Sequence, residues 1–345
     1  MIEGRFRDKD FLCKYDLDIG LFKKYNYKVN DIIPIRKLFI ISTNKGNKIL
    51  KKLDYDLNHL EFIDSAINYI ENNNFKNTFS FEKNKKGKIC TKHYNNYYVV
   101  MNLIEGRECE FNNPIEVSMA SRALSKLHLS SEGFRYKENS YRYMVGTLID
   151  NLARKKEELL IFKNLVKTYE NKKEFDKIFI KNVDYYIEEM DKSIEILNSS
   201  PYLKLCSEED KIVLCHHDLA YHNILIKEDD VYFIDFDYAI IDLRVHDLCN
   251  FINKVIKNFA FDFEKAHNII NCYKENINLD NRELEVLYGM LYFPEDFYSV
   301  SKNYYKRKKI WTEEVFLFKL KRKLEYQEER KEFLEQFKSY YNIKY

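Results

Sequence analysis

The pattern of apolar and polar positions divides the chain near Gly106 into a strand-rich first part and a helical second part. The apolar run Leu38–Thr43, the turn sequence at 44–47 and a second strand over Lys48–Leu53 predict a β-hairpin. Apolar residues then recur at helical spacing over Leu57–Ile70, which predicts a helix of about four turns. Three further antiparallel strands are predicted, at Thr78–Phe81, Lys88–His93 and Tyr97–Ile104.

The second part is predicted to be mainly helical, with one strand and one hairpin between the helices. The predicted helices are Pro114–Ser130, Tyr141–Tyr169, Glu174–Leu197 and most of the chain after Asp242, ending in a charged helix over 312–338. Ile212–Cys215 reads as a buried strand, and Asn223–Ile226 with Val231–Ile234 reads as a hairpin. We therefore expect an α+β fold with two domains, a small antiparallel-sheet lobe with one helix over 1–104 and a large, mainly helical lobe over 105–345.

Composition adds limits rather than new elements. The 345 residues are 45% hydrophobic, enough for a substantial core, and the scarcity of Gly (8) and Pro (4) favours long helices. The 57 basic and 55 acidic residues nearly cancel, so the charge calls for neither a nucleic-acid nor a membrane partner. The charged N-terminus, the lack of a long apolar run and seven scattered cysteines without a CxxC pair indicate a soluble cytoplasmic protein with reduced thiols.

The residues that could carry chemistry follow the predicted strand at 212–215. The segment His216–Asn223 has the pattern H-x-D-x-x-x-x-N, and Asp235 and Asp237 follow after one hairpin. Phosphoryl transfer from ATP needs positioning and charge neutralisation more than covalent help. Asp218 would accept or orient the proton of the acceptor. Asn223 and Asp235, with Asp237, are the candidate ligands of Mg²⁺, which prefers hard oxygen donors.

Two other interpretations of this segment are weaker. It could be an ordinary polar loop between core strands, but the flanking strand, the hairpin and the D-F-D sequence at the expected distance make the pattern specific. The three histidines His216, His217 and His222 could indicate zinc, yet no further His or Cys cluster lies nearby in the sequence. We interpret His216 as a buried histidine that braces the catalytic loop, and His217 and His222 as solvated or substrate-facing.

Lys51 is the candidate cation for the nucleotide phosphates. It ends the strand Ile49-Leu50-Lys51, which is similar to the V-A-I-K strand of kinases. Lys52 is the alternative, because strand alternation places it on the opposite face. Glu61 on the following helix could pair with Lys51.

The segment from Tyr98 to Gly106 is the candidate hinge between the two lobes. Backbone groups near Asn102 and Ile104 would bond adenine there. A plain core strand that ends at a glycine has the same pattern.

Taken together, these residues resemble the aminoglycoside phosphotransferase/choline kinase superfamily and, within it, the CotS-like spore coat proteins. The matching segments are Leu50-Lys51-Lys52, Asn102–Arg107, Leu124–Phe134, Leu214–Asp218, Asp235-Phe236-Asp237, Asp242-Leu243-Arg244 and Asp247-Leu248. The resemblance implies a bilobal protein-kinase-like fold that binds ATP and Mg²⁺ and a role in the coat of bacterial endospores. Its implied partners are other spore coat proteins, and its implied location is the mother-cell cytoplasm and then the spore coat.

The chain departs from the family pattern at two places. Members usually carry a Gly-containing loop before the strand at Leu38, whereas only Arg36 and Lys37 stand there, so this turn would hold phosphates through side chains or hold them poorly. Asp237 replaces the glycine of D-F-G, and only six residues separate Asp235 from Asp242. That leaves no room for an activation loop and argues against a regulated protein kinase.

Three functions remain open. The first is an active phosphotransferase with a small-molecule or coat-protein acceptor. The second is a weak or inactive structural coat component, which the short turn and the 28 tyrosines favour. The third is a cytoplasmic choline-, sugar- or aminoglycoside-type kinase. The acceptor pocket is expected between the helices of 141–197 and those after Asp242, where Glu188, Glu189 and Asp191 could attract a cation.

Overall fold

The computed structural model describes residues 17–35, 38–137, 142–257 and 259–345, which form two compact units. The first unit contains the described residues up to Cys109 together with His222–Asp237, and the second contains the rest. The hairpin segment 222–237 thus packs with the N-terminal residues, although it follows the predicted boundary at 104 by more than a hundred positions. The division into a nucleotide lobe and a substrate lobe stays a prediction.

The elements of the described chain are numbered in chain order. Those up to Cys109 are α1 (Ile19–Phe22), β1 (Val29–Ile35), β2 (Leu38–Thr43), β3 (Gly46–Lys52), α2 (Leu57–Asn72), β4 (Cys90–His93), β5 (Asn96–Asn102) and β6 (Arg107–Glu108). Those up to Leu243 are α3 (Pro114–Ser131), α4 (Leu148–Lys167), α5 (Glu174–Ser199), α6 (Tyr202–Leu205), β7 (Ile212–Cys215), β8 (Ile224–Lys227), β9 (Asp230–Phe233) and β10 (Ile240–Leu243). The last helices are α7 (Val245–Ile256), α8 (Phe263–Lys274), α9 (Asn281–Tyr292), α10 (Glu295–Tyr305), α11 (Glu313–Glu325) and α12 (Gln327–Tyr340).

The first unit is built on an antiparallel sheet of order β1-β2-β3-β5-β4. The predicted β2–β3 hairpin is present, and Gly46 (φ +85°) supplies the left-handed residue that its turn needs. Strand β1 is an addition that the sequence reasoning did not include. Alternate residues of the sheet face two cores: Leu50 and Val100 pack with α1, and Val99 packs with Leu60 of α2.

A second sheet of this unit has the order β6-β8-β9 and contains the predicted hairpin. Gly106 lies against β8, where a Cβ atom would stand 3.0 Å from the Ile226 carbonyl oxygen, so this close approach favours glycine. The predicted strand at Thr78–Phe81 is wrong. The two ends of this segment bond to different strands, so it does not form a continuous strand with either. The Thr78 hydroxyl donates to the carbonyl of Phe233 in β9, and Phe81 forms an isolated bridge with Met101 in β5.

The second unit is helical around one short antiparallel pair, β7 with β10. Two predicted boundaries are wrong here. The helix predicted from Tyr141 begins at Leu148, because Arg142 and Met144 hydrogen-bond to the backbone of Ile241 instead. The helical region expected from Asp242 begins at Val245, because Ile240–Leu243 pairs with β7.

The charged helix predicted over 312–338 is two helices, α11 and α12, that meet at Tyr326. Arg330, near the start of α12, donates hydrogen bonds to the carbonyls of Leu291 and Tyr292 at the end of α9, which anchors α12 against that helix. In the described part of the chain, every helix is too short or too polar to cross a lipid bilayer.

Candidate active site

A cavity of about 120 Å³ lies within the first unit, between its two sheets. Its walls are mostly apolar, and its charged residues are Lys51, Asp235 and Asp237. The other lining residues are Leu38, Ile49, Tyr55, Phe79, Phe81, Met101, Asn102, Leu103, Ile104, Leu225 and Ile234. Such a cavity suits a ligand with a flat apolar part and an anionic part.

Lys51 connects the sheet to the acidic residues of the hairpin segment. Its Nζ lies 3.0 Å from Oδ1 of Asp235 and 2.5 Å from Oδ2 of Asp237. Burial opposes the charged amine, but Asp237 and Asp235 outweigh it, so the pKa of Lys51 is raised. Strand alternation places Lys52 on the same side as Leu50, facing away from the cavity. Of the two candidate lysines, the structure therefore brings Lys51 to the carboxylates.

Glu61, the predicted partner of Lys51, is exposed on α2. The ion pairs of Lys51 go to Asp235 and Asp237, and the charge of Glu61 acts on the thiol of Cys90, whose pKa is raised mainly by burial. The structure thus does not join Glu61 to the cavity. Carboxylates of the hairpin take the place that was expected for it.

Asn223, Asp235 and Asp237 are brought together by the β8–β9 hairpin. The carbonyl of Asn223 accepts a hydrogen bond from the N–H of Ile234 (3.0 Å), which places Asn223 beside the start of the acidic segment. Asp235 has φ +66°, a left-handed conformation that is uncommon outside glycine and recurs at functional sites. Burial and the neighbouring charge of Asp235 raise the pKa of Asp237, although Lys51 acts in the opposite direction.

These three residues fit a Mg²⁺ site. They offer one amide and two carboxylate groups, which are the hard oxygen donors that Mg²⁺ prefers. Asp235 and Asp237 lie close enough together to share the ammonium group of Lys51, so their carboxylates converge on one place.

The predicted hinge lies at the apolar end of the cavity. The N–H of Asn102 donates to the carbonyl of Ser80 (3.2 Å), and its side chain accepts from the N–H of Ser80, so both groups of Asn102 are engaged. Strand β5 ends at Asn102, and no described residue hydrogen-bonds to the backbone of Leu103 or Ile104. The backbone available to a ligand is therefore that of Leu103 and Ile104. The predicted turn at Arg36 and Lys37 lies outside the described residues.

In the second unit, the buried carboxylate of Asp247 holds the loop that follows β7. It accepts hydrogen bonds from the N–H groups of His216 (2.5 Å) and His217 (2.8 Å). Nε2 of His128 lies 3.2 Å away and donates to it, and Nδ1 of His128 accepts from the Tyr273 hydroxyl. Burial opposes ionisation, yet the contact with His128 and the loop N–H groups hold the pKa of Asp247 at about 2.

His216 and Asp218 are positioned by this arrangement. His216 is fully buried, and its Nδ1 accepts a hydrogen bond from the N–H of Asp218 (3.3 Å), in agreement with a bracing role. The carboxylate of Asp218 forms an ion pair with Lys254 of α7. Sequence reasoning missed Lys254, although one signal was present. Polar residues at positions 246, 250, 253, 254 and 257 share one face of a single helix.

His128, Cys215 and Asp247 also form a buried cluster whose possible ligand atoms lie within 4.8 Å of one another. Both oxygens of Asp247 already accept hydrogen bonds, and the Cys215 thiol lies 3.4 Å from the carbonyl oxygen of Leu243. Burial raises the pKa of Cys215 well above its usual range, which keeps the thiol protonated. Hydrogen bonding explains the cluster without a metal ion.

A cavity of about 820 Å³ lies between α4 and α7, where the acceptor pocket is predicted. His217, which precedes Asp218, is on its wall. The residues expected to make it acidic, Glu188, Glu189 and Asp191, are not on its described wall, and the carboxylates that are there are Glu158, Asp242 and Glu295. Glu189 pairs with Arg330 and Asp191 pairs with Lys156, so these carboxylates belong to helix contacts.

Comparison with solved structures identifies the fold as kinase-like. An aminoglycoside phosphotransferase from Alicyclobacillus acidocaldarius superimposes with a TM-score of 0.83 at 16% identity, over 94% of this chain and 96% of that one. Amicoumacin kinase, solved with AMP-PNP and Ca²⁺, gives a TM-score of 0.63 at 14% identity, over 95% and 96% of the two chains. At these identities the similarity shows the fold, and it confirms the predicted protein-kinase-like class.

The chain belongs to the family described as "Spore coat putative kinase YutH", whose model matches residues 19–337. It is also 22% identical over 310 residues to spore coat protein S of Bacillus subtilis strain 168, covering 89% of this chain and 88% of that protein. The predicted membership in the CotS-like spore coat family is thereby confirmed.

Proposed function

We propose that the protein is an ATP-dependent phosphotransferase of the spore coat that acts on a hydroxyl or amine of a small molecule or coat protein. The observation that carries this proposal is the cavity of the first unit, whose charged part consists of Lys51, Asp235 and Asp237. An apolar slot next to one cation and two carboxylates matches a nucleotide with its phosphates and metal.

The base of the nucleotide would lie among the apolar walls. Backbone groups of Leu103 and Ile104 would bond its edge, because the backbone N–H of Asn102 is already engaged with Ser80. Lys51 would bind the phosphates as a point charge.

The carboxylates of Asp235 and Asp237 and the amide oxygen of Asn223 would hold Mg²⁺. The ion would neutralise phosphate charge there. With the ion bound to the two carboxylates, the ammonium group of Lys51 would be available to the phosphates.

Asp218 would orient the acceptor and accept its proton. The loop that carries Asp218 is held in position because the buried Asp247 accepts hydrogen bonds from the N–H groups of His216 and His217. The ion pair with Lys254 holds the Asp218 carboxylate in one place. We further propose that the protein is made in the mother cell and then joins the spore coat.

Nucleotide binding is the direct test. Mg-ATP at a hundredfold excess over its Kd should add about 2.7 kcal/mol to the free energy of unfolding. The midpoint temperature of thermal unfolding, Tm, should then rise by several degrees. Asp235→Ala should abolish this rise, because it removes a metal ligand. Asp229→Ala, at the exposed turn of the same hairpin, should keep it. Absence of a rise with millimolar Mg-ATP in the native protein would contradict the proposal.

A structural coat protein is the second candidate, and the surface tyrosines favour it. Tyr94, Tyr143, Tyr221, Tyr238 and Tyr340 are between 43% and 63% exposed. Exposed tyrosines supply amphipathic contact area and can be cross-linked by oxidation. The two candidates differ in whether the coat requires Asp218.

A further inference from the structure

A second cavity of the second unit, of about 170 Å³, carries an excess of positive charge. Its cationic lining residues are Lys254, Lys257, Arg322, Lys323 and Arg330. Among its described lining residues the carboxylates are Glu295 and Asp296.

Both carboxylates already have cationic partners. Glu295 pairs with Lys155 at 2.7 Å, and Asp296 pairs with Lys323 at 2.7 Å. Arg330 is likewise engaged, with Glu189. Lys254 is paired as well, with Asp218, so the cation of the cavity that matters for a ligand is Lys257.

Lys257 has no ion-pair or hydrogen-bond partner for its ammonium group among the described residues. Burial lowers the pKa of Lys257, Asp296 acts in the opposite direction, and repulsion by Lys323 and Lys254 lowers it further. The charged form of the Lys257 amine is thus insufficiently stabilised by its surroundings. An anion in the cavity would supply that stabilisation.

The Tyr185 hydroxyl, on the wall of the same cavity, is a second group in need of a ligand. Its oxygen is shielded from solvent and makes no hydrogen bond of normal geometry with a described residue, although the Gln327 side chain on the same wall is near enough to lower the pKa of the phenol against the effect of burial. A buried hydroxyl without a partner is unfavourable, and a bound oxyanion would accept its hydrogen bond. The cavity therefore offers both a charge and a neutral donor to an anion.

We propose that this cavity binds an anionic group, a phosphate or a carboxylate, of the acceptor. That the anion belongs to an acceptor rests on the proposed function. Lys254 lies on the wall of the cavity and is also the partner of Asp218, so the anion would bind within one side chain of the predicted catalytic carboxylate. The acceptor would then be an anionic compound rather than a cation of the aminoglycoside type.

The test is a calorimetric titration of the full chain with inorganic phosphate, and separately with malonate, at constant ionic strength. Lys51→Met serves as the parent protein, so that phosphate cannot bind through the nucleotide lysine. Adding Lys257→Met should weaken binding about tenfold, because one charge-assisted contact is lost. Tyr185→Phe, which removes only a hydroxyl, should weaken it about fivefold. Binding of phosphate alone, or of malonate alone, would assign the anion to the phosphate or the carboxylate class.

Lys181→Met is the matched control, because Lys181 is exposed on α5, the helix that carries Tyr185, and does not line the cavity. It should leave phosphate binding unchanged. Equal affinity of the parent and both cavity variants would overturn the inference, as would loss of all anion binding on Lys51→Met alone. Mg-ATP binding, measured in proteins with Lys51 intact, reports separately on the proposed function. Its absence with anion binding retained would reject the nucleotide site and leave the anion site standing.

Discussion

At the residue scale, the loop that carries Asp218 depends on the buried carboxylate of Asp247. Asp247 is fully buried and accepts two backbone N–H groups of the loop as well as the ring of His128. A buried carboxylate with three donors is well satisfied, whereas the same donors without it would be costly to bury. The loop is therefore held in position before any substrate arrives.

His217 provides a test of this packing through pH. Burial, and then the neighbouring His246, lower the pKa of His217 to about 3, although Asp247 acts against them. Between pH 6.5 and 3 the unfolded chain binds a proton there that the folded chain does not, so stability falls as pH falls, by about 1.4 kcal/mol per unit. His217→Asn keeps the left-handed conformation (φ +63°) without the titrating ring. Its free energy of unfolding relative to the native protein should improve by about 2 kcal/mol from pH 7.5 to pH 5 in urea titrations.

His246→Asn is the control with the opposite sign. Burial opposes its charge, but Asp242 at 2.8 Å outweighs this, so the pKa of His246 is raised. That stabilisation is complete below the unfolded pKa and is lost as pH rises through the folded pKa. His246→Asn should thus cost more at pH 5 than at pH 8. Parallel pH profiles for the native protein and His217→Asn would contradict the buried neutral ring.

The sequence predicted individual site residues where local geometry decides them. The hairpin was enough to place Asn223 beside Asp235. Strand alternation left Lys51 and Lys52 as alternatives, and only the contacts of Lys51 with Asp235 and Asp237 decide between them. Lys254 was not predictable in this way, because its contact with Asp218 spans 36 residues and depends on how α7 packs. Glu61 was predicted from its place on the following helix, and Asp237 takes the position expected for it beside Lys51.

At the element scale, Gly289 sets the distance between α9 and α5. A Cβ atom at this position would stand 2.9 Å from Leu197, and the Ser193 hydroxyl donates to the Gly289 carbonyl. Gly289→Ala should therefore destabilise the protein by about 1–3 kcal/mol, although alanine is the better helix former by about 1 kcal/mol. Denaturant unfolding measures the difference.

A double-mutant cycle isolates the cause. Leu197→Ala alone should cost about 2–5 kcal/mol, but in its background Gly289→Ala should cost almost nothing, because the added methyl group enters the vacated space. Leu60→Ala, a truncation in the first unit, should instead add to Gly289→Ala without coupling. Equal coupling in both cycles would show that the contact with Leu197 is not the cause.

Element boundaries failed where partners distant in sequence override the local pattern. Ile240–Leu243 forms a strand rather than the start of a helix because it pairs with β7 through backbone hydrogen bonds. The break at Tyr326 left no trace in the pattern. The buried Leu334 of α12 follows the buried Phe316 of α11 by about five helical turns, so the apolar positions fit one continuous helix face.

At the scale of the whole molecule, the order of elements was predictable and the grouping into units was not. The hairpin 222–237 packs with residues that precede it by more than a hundred positions, as shown by the bond from the N–H of Phe233 to the carbonyl of Asn77. The periodicity of the sequence predicts local elements and does not indicate which distant segments pack together. The sequence pattern from His216 to Asn223 is thus divided, with Asp218 in one compact unit and Asn223 in the other.

The role of this motif in the coat is testable by allele replacement during sporulation. The side chains of Asp218 and Lys254 are 29% and 22% exposed, so Asp218→Ala should lower stability by only about 0–1 kcal/mol and leave a folded protein. If phosphotransfer is the function, this allele should give the same coat defect as deletion, seen by electron microscopy, while Asp229→Ala should give normal coats. A normal coat with Asp218→Ala but not with deletion would establish a structural role. Normal coats in both strains, with a diffuse tagged protein in vegetative cells, would favour a metabolic kinase.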